Sequence, residues 1–299
     1  MKAVVFYYTQ SGQALKVAQS LCKTIDEVVY KAIEPKCSFP FPWSRREFFD
    51  VFPETRLGMP PFGVLPFDFS DVQDVDVVII VGQSWFLSPS LPLQSFFEDD
   101  EVKAYLRGRD VVFVNACRNM WVMTLHKIKE YVAECGATIV GHVVLQDSHA
   151  NLVSALTVVR WLMYGKKQKS ALLPEAGVSA DNINGASHYG EIISHTIKNG
   201  NITHLQELLV DAGAIDYKPS IAFIEKTGHR LFGIWAGFIR KKGGFGDRNR
   251  RFRLDMFYVY LLFVLFVVSP FAQLFFYLTY PVRHVGRERR VALSVRNNQ

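Results

Sequence analysis

Five short β-branched runs, all but the second followed by helical periodicity, constrain the fold of this 299-residue chain more than any other feature. The runs are residues 3–8, 28–33, 75–81, 111–115 and 138–145. They are largely apolar, with Lys31, Asp76 and His142 as interruptions, as expected for strands when helices cover both faces of a parallel sheet. After the first run, Ala14, Leu15, Ala18, Leu21, Cys22 and Ile25 recur at the helical period. A second helical pattern fills 92–106. A third places Trp121, Leu125, Ile128 and Val132 on one face before Gly136, where a C-terminal glycine cap is wanted. Further helices are expected at 151–164, 187–198, 203–211 and 220–242. The pattern predicts an α/β, doubly wound sheet of five parallel strands, with ligands outside the strands' carboxyl ends where strand order reverses.

The first strand exits through Thr9, Gln10, Ser11, Gly12, Gln13 and Ala14. Two hydroxyls and a glycine here precede a helix whose first amides lack intrahelical partners and carry partial positive charge. That arrangement binds phosphate, although Ser and Gly are also ordinary helix-start residues. The loop after the third strand (82–92) and the loop after the fourth (115–121) should meet this turn at one edge. Ser84, Trp85, Phe86, Asn115, Cys117, Asn119 and Trp121 are the candidate contacts there, the aromatic ones lying against a flat ring. A GxGxxG fingerprint is absent, which disfavours a dinucleotide domain.

About 40 residues separate the second and third strands, too many for a structureless connection in a compact domain. They are rich in Phe, Trp and Pro rather than charge, which argues against disorder. Residues 34–70 therefore read as an ordered aromatic lid, with Trp43 and Phe48 offered to an apolar substrate arm and Arg45, with Arg46 ranked lower, to an oxyanion.

Residues 256–280 form an apolar run of 25 without a charged side chain. As a helix it would be about 37 Å long, enough to cross a bilayer core. Seven Lys/Arg lie at 240–253 and five more follow 280; without those 12, positions 1–239 hold 22 basic against 25 acidic residues. The overall +6 thus belongs to the membrane flanks, and a nucleic-acid partner is disfavoured. A single span is favoured over a re-entrant hairpin bent at Ser269-Pro270. The first apolar stretch is too short for a secretory signal. Cys22, Cys37, Cys117 and Cys135 show neither CxxC nor zinc spacing, so no metal site is expected. These features point to a cytoplasmic body held at the inner membrane.

The first two loops resemble those of flavodoxin-like FMN proteins, with Thr9, Ser11 and Gly12 matching T-x-T-G and Ala14 departing from the last hydroxyl. Gly82, Trp85, Phe86 and Pro89 match the second loop more loosely. A narrower resemblance rests on IEPK (33–36), FPFPW (39–43), the FFD and PET blocks (48–55), QSWFLSPSLP (83–92), CRNMW (117–121) and QDSHANLVSALTVVRWLMYGKK (146–167). Over roughly residues 1–180 the chain is similar to the dialkylresorcinol condensing enzyme family of aryl polyene and flexirubin-type clusters. That resemblance implies FMN as cofactor, a ketosynthase partner, and oxidation of a dialkylcyclohexane-1,3-dione to a dialkylresorcinol. No thiolase-type Cys/His/Asn arrangement accompanies it.

Such an oxidation needs a base and a group to hold an oxyanion. His149, just past the fifth strand, is the candidate base, because histidine as a residue type exchanges protons near neutral pH. Arg118 is the candidate for the oxyanion. The expected organisation is an FMN domain (1–170), a helical extension (171–242), a basic linker (243–255), the membrane segment (256–280) and a basic tail (281–299). An NAD(P)H:quinone oxidoreductase and a flavodoxin-like carrier stay open as alternatives, as does a homodimer.

Overall fold

The computed structural model describes residues 1–279; the basic tail expected at 281–299 lies outside the described residues. The strands are β1 (Lys2–Tyr7), β2 (Glu27–Ala32), β3 (Val77–Trp85), β4 (Ser88–Pro89), β5 (Asp110–Cys117) and β6 (Thr138–Gln146). Their order is β2-β1-β3-β5-β6, all parallel, while the two-residue β4 folds back antiparallel on the end of β3. This is the flavodoxin-like order, with its switch point between β1 and β3. The long strands follow the five apolar runs within a few residues.

Two cores flank the sheet. Helices α4 (Leu91–Glu98), α5 (Asp100–Leu106) and α6 (Val122–Glu134) cover the face of Val4, Phe6, Ile80 and Phe113. The other face, with Val5, Ile79 and Val114, is covered by α1 (Gln13–Leu21), α8 (Ala180–Lys198) and α9 (Leu205–Asp211). The helix expected over 92–106 divides at Asp99, whose carboxylate accepts the Glu101 and Val102 amides at 3.0 and 3.1 Å and so restarts the helix. Helix α8 begins earlier than the expected 187 because Ser179 caps it through the Asn182 amide. Residues 180–211 thus share one core with β1 and β3. Helix α7 (Asn151–Tyr164) stays largely outside that core.

The insertion after β2 carries two short helices. Of these, α2 (Arg45–Asp50) begins with a reciprocal Ser44/Glu47 capping box and α3 (Phe52–Leu57) has Pro53 in its first turn. Phe49 and Phe52 pack against Phe232 and Ala236 of α10 (Pro219–Arg240) and Phe257 of α11 (Arg251–Phe263). Arg250 lies at the centre, fully buried, donating to Asp50 Oδ1 at 2.8 Å, to Glu54 Oε1 at 2.7 Å and to the Asp50 carbonyl. Arg240 approaches Glu54 at 3.4 Å, and Arg253 lies over the Phe238 ring. Three of the seven cations expected as a membrane flank therefore serve intramolecular contacts, Arg250 and Arg240 because acidic lid residues meet them and Arg253 through the ring and carbonyl of Phe238.

Helix α11 continues through a π-helical turn (Val264–Val268) into α12 (Ser269–Thr279). Pro270 cannot donate to the ladder, and the wider turn before it lets the helix continue instead of bending into the hairpin considered above. The continuous helix returns antiparallel along α10: Phe232 meets Phe257, Trp235 meets Tyr260, and Phe223 meets Phe276, at centroid separations of 5.3, 5.0 and 5.7 Å. One face thus stays on the protein. A simple perpendicular span would require this packing to part. Arg248–Phe276 is long and apolar enough to cross a membrane, and only 11% of its most apolar window is buried, far less than in a core helix.

Two positions test these packing arguments. At Gly190 an added Cβ would fall 1.7 Å from the Leu21 carbonyl oxygen, whereas Gly185 on the same helix has open space around it. Gly190→Ala should therefore cost about 1–3 kcal/mol or more, while Gly185→Ala should gain roughly 0.5–1 kcal/mol, read as urea midpoints. His142 on β6 is fully buried, stacks on Phe113, and has no partner for either ring nitrogen among the described residues. Burial pushes its pKa down to about 3. Its folded value lies below its unfolded one, so its contribution is intact above about pH 6.5 and is lost as pH falls, by about 2 kcal/mol at about pH 5. His142→Phe should flatten that part of the stability–pH curve, measured by denaturation across this range.

Candidate functional site

The carboxyl ends of β1, β3, β5 and β6 bring four loops to one edge of the sheet. In the first, Gly12 has φ +81°, a conformation glycine adopts without strain, and a Cβ there would meet nothing within 4 Å. The α1 ladder begins with Lys16 donating to Gly12 at 3.2 Å, so the amides of Gln13, Ala14 and Leu15 precede it. Thr9 Oγ1 is buried with no partner among the described residues. Ser11 adds a second hydroxyl. An open turn, free amides, an orphaned hydroxyl and a helix dipole suit the phosphate of FMN. Two neighbours are already engaged: Gln10 accepts from Trp43 Nε1 (3.1 Å) and donates to the Pro40 carbonyl (2.6 Å), and Gln13 pairs with the Val178 backbone.

In the second loop the expected aromatic wall divides. Trp85 remains at the edge beside Tyr8, Phe39 and Trp43 at 5.9, 5.4 and 5.6 Å. Phe86 turns away to pack on Phe48 and Phe52 at 4.8 and 5.1 Å, through positive φ at Phe86 and Leu87. Those left-handed, non-glycine conformations persist because the lid core takes up both side chains. Ser84 and Asn115, expected to touch a ligand, pair with each other across β3 and β5 at 3.2 Å, and Asn115 is fully buried.

The third loop corrects further expectations. Trp121 is 2% exposed and packs on His142 and Tyr217, leaving no face for a flavin. Cys117 is buried, and burial pushes its thiol well above the usual range, so it is an inert filler. Arg118 donates through Nη1 to both the carbonyl and Oδ1 of Asn151, each at 2.8 Å, and so fixes the loop instead of facing a substrate. Desolvation brings its pKa down to about 10, with the Asp147 charge opposing. Asn119 donates to Asn151 Oδ1 at 3.0 Å while its own Oδ1 is buried and has no partner among the described residues. Glu225 of α10 reaches in to accept the Met123 amide at the start of α6 (2.8 Å), and burial lifts its pKa to about 7.

The fourth loop supplies a group the sequence reading missed. Asp147, fully sequestered, accepts His149 Nδ1 at 2.6 Å, the His149 amide at 2.9 Å and Ser154 Oγ at 2.8 Å. A carboxylate on Nδ1 fixes the tautomer with the proton there, leaving Nε2 as the basic nitrogen. His149 is one-third exposed and lines a cavity of about 450 Å³ with Asn119, Asn151, Lys218, Gln273 and Phe276. The D-x-H spacing after an apolar strand was the available signal for Asp147. The contributions of Glu225, Gln273 and Phe276 had no sequence signal, since each comes from a distant helix.

The proposed lid contacts lie elsewhere. Trp43 is 3% exposed among Phe39, Phe48 and Trp85, so it ties the lid to the first loop and presents no open channel. Arg45 pairs with Asp255 at 3.3 Å and lies over Tyr258, at the base of the apolar helix.

No protein-family model matches the chain, and no curated protein matches it. Among solved structures, it is similar to a flavoprotein in complex with FMN from Lactobacillus acidophilus, at 20% identity over 48% of this chain and 92% of that one (TM-score 0.38). An archaeal flavodoxin aligns at 13% identity over 66% of this chain and 99% of its own (TM-score 0.38). The azoreductase AzrA aligns at 12% identity over 62% and 99%, respectively (TM-score 0.32).

Proposed function

We propose that the protein is an FMN-dependent oxidoreductase that converts a 2,5-dialkylcyclohexane-1,3-dione to a dialkylresorcinol at a membrane, in aryl polyene or flexirubin-type lipid synthesis. The observation that carries this reading is His149, oriented by buried Asp147 and facing a cavity, on a loop that leaves the same carboxyl-terminal side of the parallel sheet as the open β1–α1 turn. Thr9, Ser11 and the first α1 amides would hold the phosphate, and Trp85 is the aromatic group left at that edge. Bound FMN supplies an acceptor for two electrons and one ring hydrogen. His149 Nε2 takes the remaining ring proton, while Asp147 stabilises the imidazolium that results. A 1,3-dione is already acidic, so a histidine is a sufficient base, and aromaticity of the product favours the step.

A dialkylated dione belongs in lipid, which accounts for the unpacked apolar face of α11–α12. We place the body on the cytoplasmic side of the inner membrane, with a ketosynthase supplying the dione. The quinone-reductase alternative would use the same edge. Rapid anaerobic bleaching by NADPH would favour it, whereas bleaching by the dione favours oxidation of the dione.

Ser11→Asp should place a carboxylate against the phosphate and leave the purified protein colourless; full FMN content in this variant would remove the assignment. Asp147→Asn should retain FMN yet lower kcat by about 10²–10⁴-fold, because the amide no longer enforces the Nδ1–H tautomer. Turnover of 2,5-dialkylcyclohexane-1,3-dione under air, followed as resorcinol absorbance, checks both the reaction and the role of Asp147.

A further inference from the structure

We propose that the His149 cavity takes its ligand sideways from the bilayer, with the acidic head at His149 and the alkyl arm in the seam between α10 and α12. The inference rests on the oxidation proposed above and locates the arm away from the lid. In the lid, Trp43 and Phe48 pack on each other and on Trp85 and Phe86, which fills the slot they were expected to offer, and the cavity of about 200 Å³ left beside α2 is walled largely by the charged residues Arg45, Arg46, Glu47, Asp50 and Asp255.

The cavity is composite. Asn119, His149 and Lys218 come from the loops and the start of α10, while Ile221 comes from α10 and Gln273 and Phe276 from α12. Its apolar lining therefore includes residues from both helices of the seam, where Phe276 meets Phe223 at 5.7 Å. Lys218, which also pairs with Asp216 at 3.0 Å, brings an ammonium donor to the rim, within the cavity that would receive a dione oxygen. The helix is held in register over the cavity by Asn151, which donates to Ser269 Oγ at 3.4 Å. Asn151 also receives Arg118 and Asn119, so one side chain joins the third loop, the fourth loop and the apolar helix. The π-helical turn Val264–Val268 ends immediately before Ser269; such turns shift the phase of a helix and are frequent at functional sites.

The opposite face of the same helix exposes Phe263, Phe266, Phe271, Leu274, Phe275 and Leu278, each between 42% and 73% accessible. A continuous apolar face of that length belongs in lipid. Because the inner face stays on α10, the helix meets the bilayer by its outer face, and the cavity wall is itself membrane-facing. An arm leaving the cavity between Ile221 and Phe276 reaches acyl chains without crossing water.

The test uses full-length protein in phospholipid nanodiscs with 2-dodecylcyclohexane-1,3-dione carrying a diazirine at the chain terminus. After illumination, peptide mapping should find the label on α10 and α12 near Phe223 and Phe276, displaced by unlabelled 2-dodecylcyclohexane-1,3-dione. Label in residues 39–48, or label on the outer helix face that excess dione fails to displace, would overturn the port. Ile221→Trp fills the seam and should raise the Kd of the dodecyl dione by about tenfold or more; unchanged affinity in a variant with wild-type Tm would also overturn it. Labelling needs no turnover, so the oxidation can fail while the port stands. Oxidation with the label in the lid would reject the port alone.

Discussion

Arg250 is the interaction on which the outer half of the molecule depends. Its guanidinium is fully buried against Asp50 and Glu54 of the insertion, while its backbone opens the apolar helix. A buried charge is tolerated only when paired and hydrogen-bonded, and removing one partner of such a pair typically costs about 3–5 kcal/mol. The cluster thus gives the lid one docking position. Around it the rings of Phe49, Phe52, Phe232 and Phe257 close, with Phe52 and Phe257 stacked at 3.8 Å. The insertion, α10 and the apolar helix become one rigid wall instead of a mobile flap and a free tether.

That wall shapes the candidate site at second hand. By accepting Phe86 and Leu87 into its core it turns the chain after β3 and leaves Trp85 at the sheet edge with Tyr8, Phe39 and Trp43. By laying α10 against α6 it delivers Glu225 to the Met123 amide, which settles the third loop. By carrying α12 back along α10 it brings Ser269, Gln273 and Phe276 to the loop of His149. The long apolar helix is therefore a structural part of the proposed site.

Much of the fold was legible because its signals are local. Strand runs and helix faces follow from the spacing of apolar residues, and Gly12 with its hydroxyl neighbours marks the strand-to-helix turn by composition alone. Apolar runs joined largely by helices gave a doubly wound parallel sheet, and the order β2-β1-β3-β5-β6 is the one the structure adopts. The site was less legible. Trp121 and Phe86 were expected to flank a ring because aromatic residues in loops often do. The sequence carries no record of the cores that claim them: His142 and Tyr217 in one case, Phe48 and Phe52 in the other.

By itself, then, the sequence determined the doubly wound sheet, the phosphate-ready turn, the aromatic insertion and the presence of an apolar helix, since each is encoded in period, turn chemistry or composition over a few neighbouring residues. Only the tertiary structure decided that Arg118 holds a loop through Asn151, that Asp147 orients His149, that Arg250 faces inward instead of toward lipid, and that α12 walls the cavity. Those outcomes depend on which distant charges and surfaces meet, and a buried charge or an apolar face is committed only when its partner arrives.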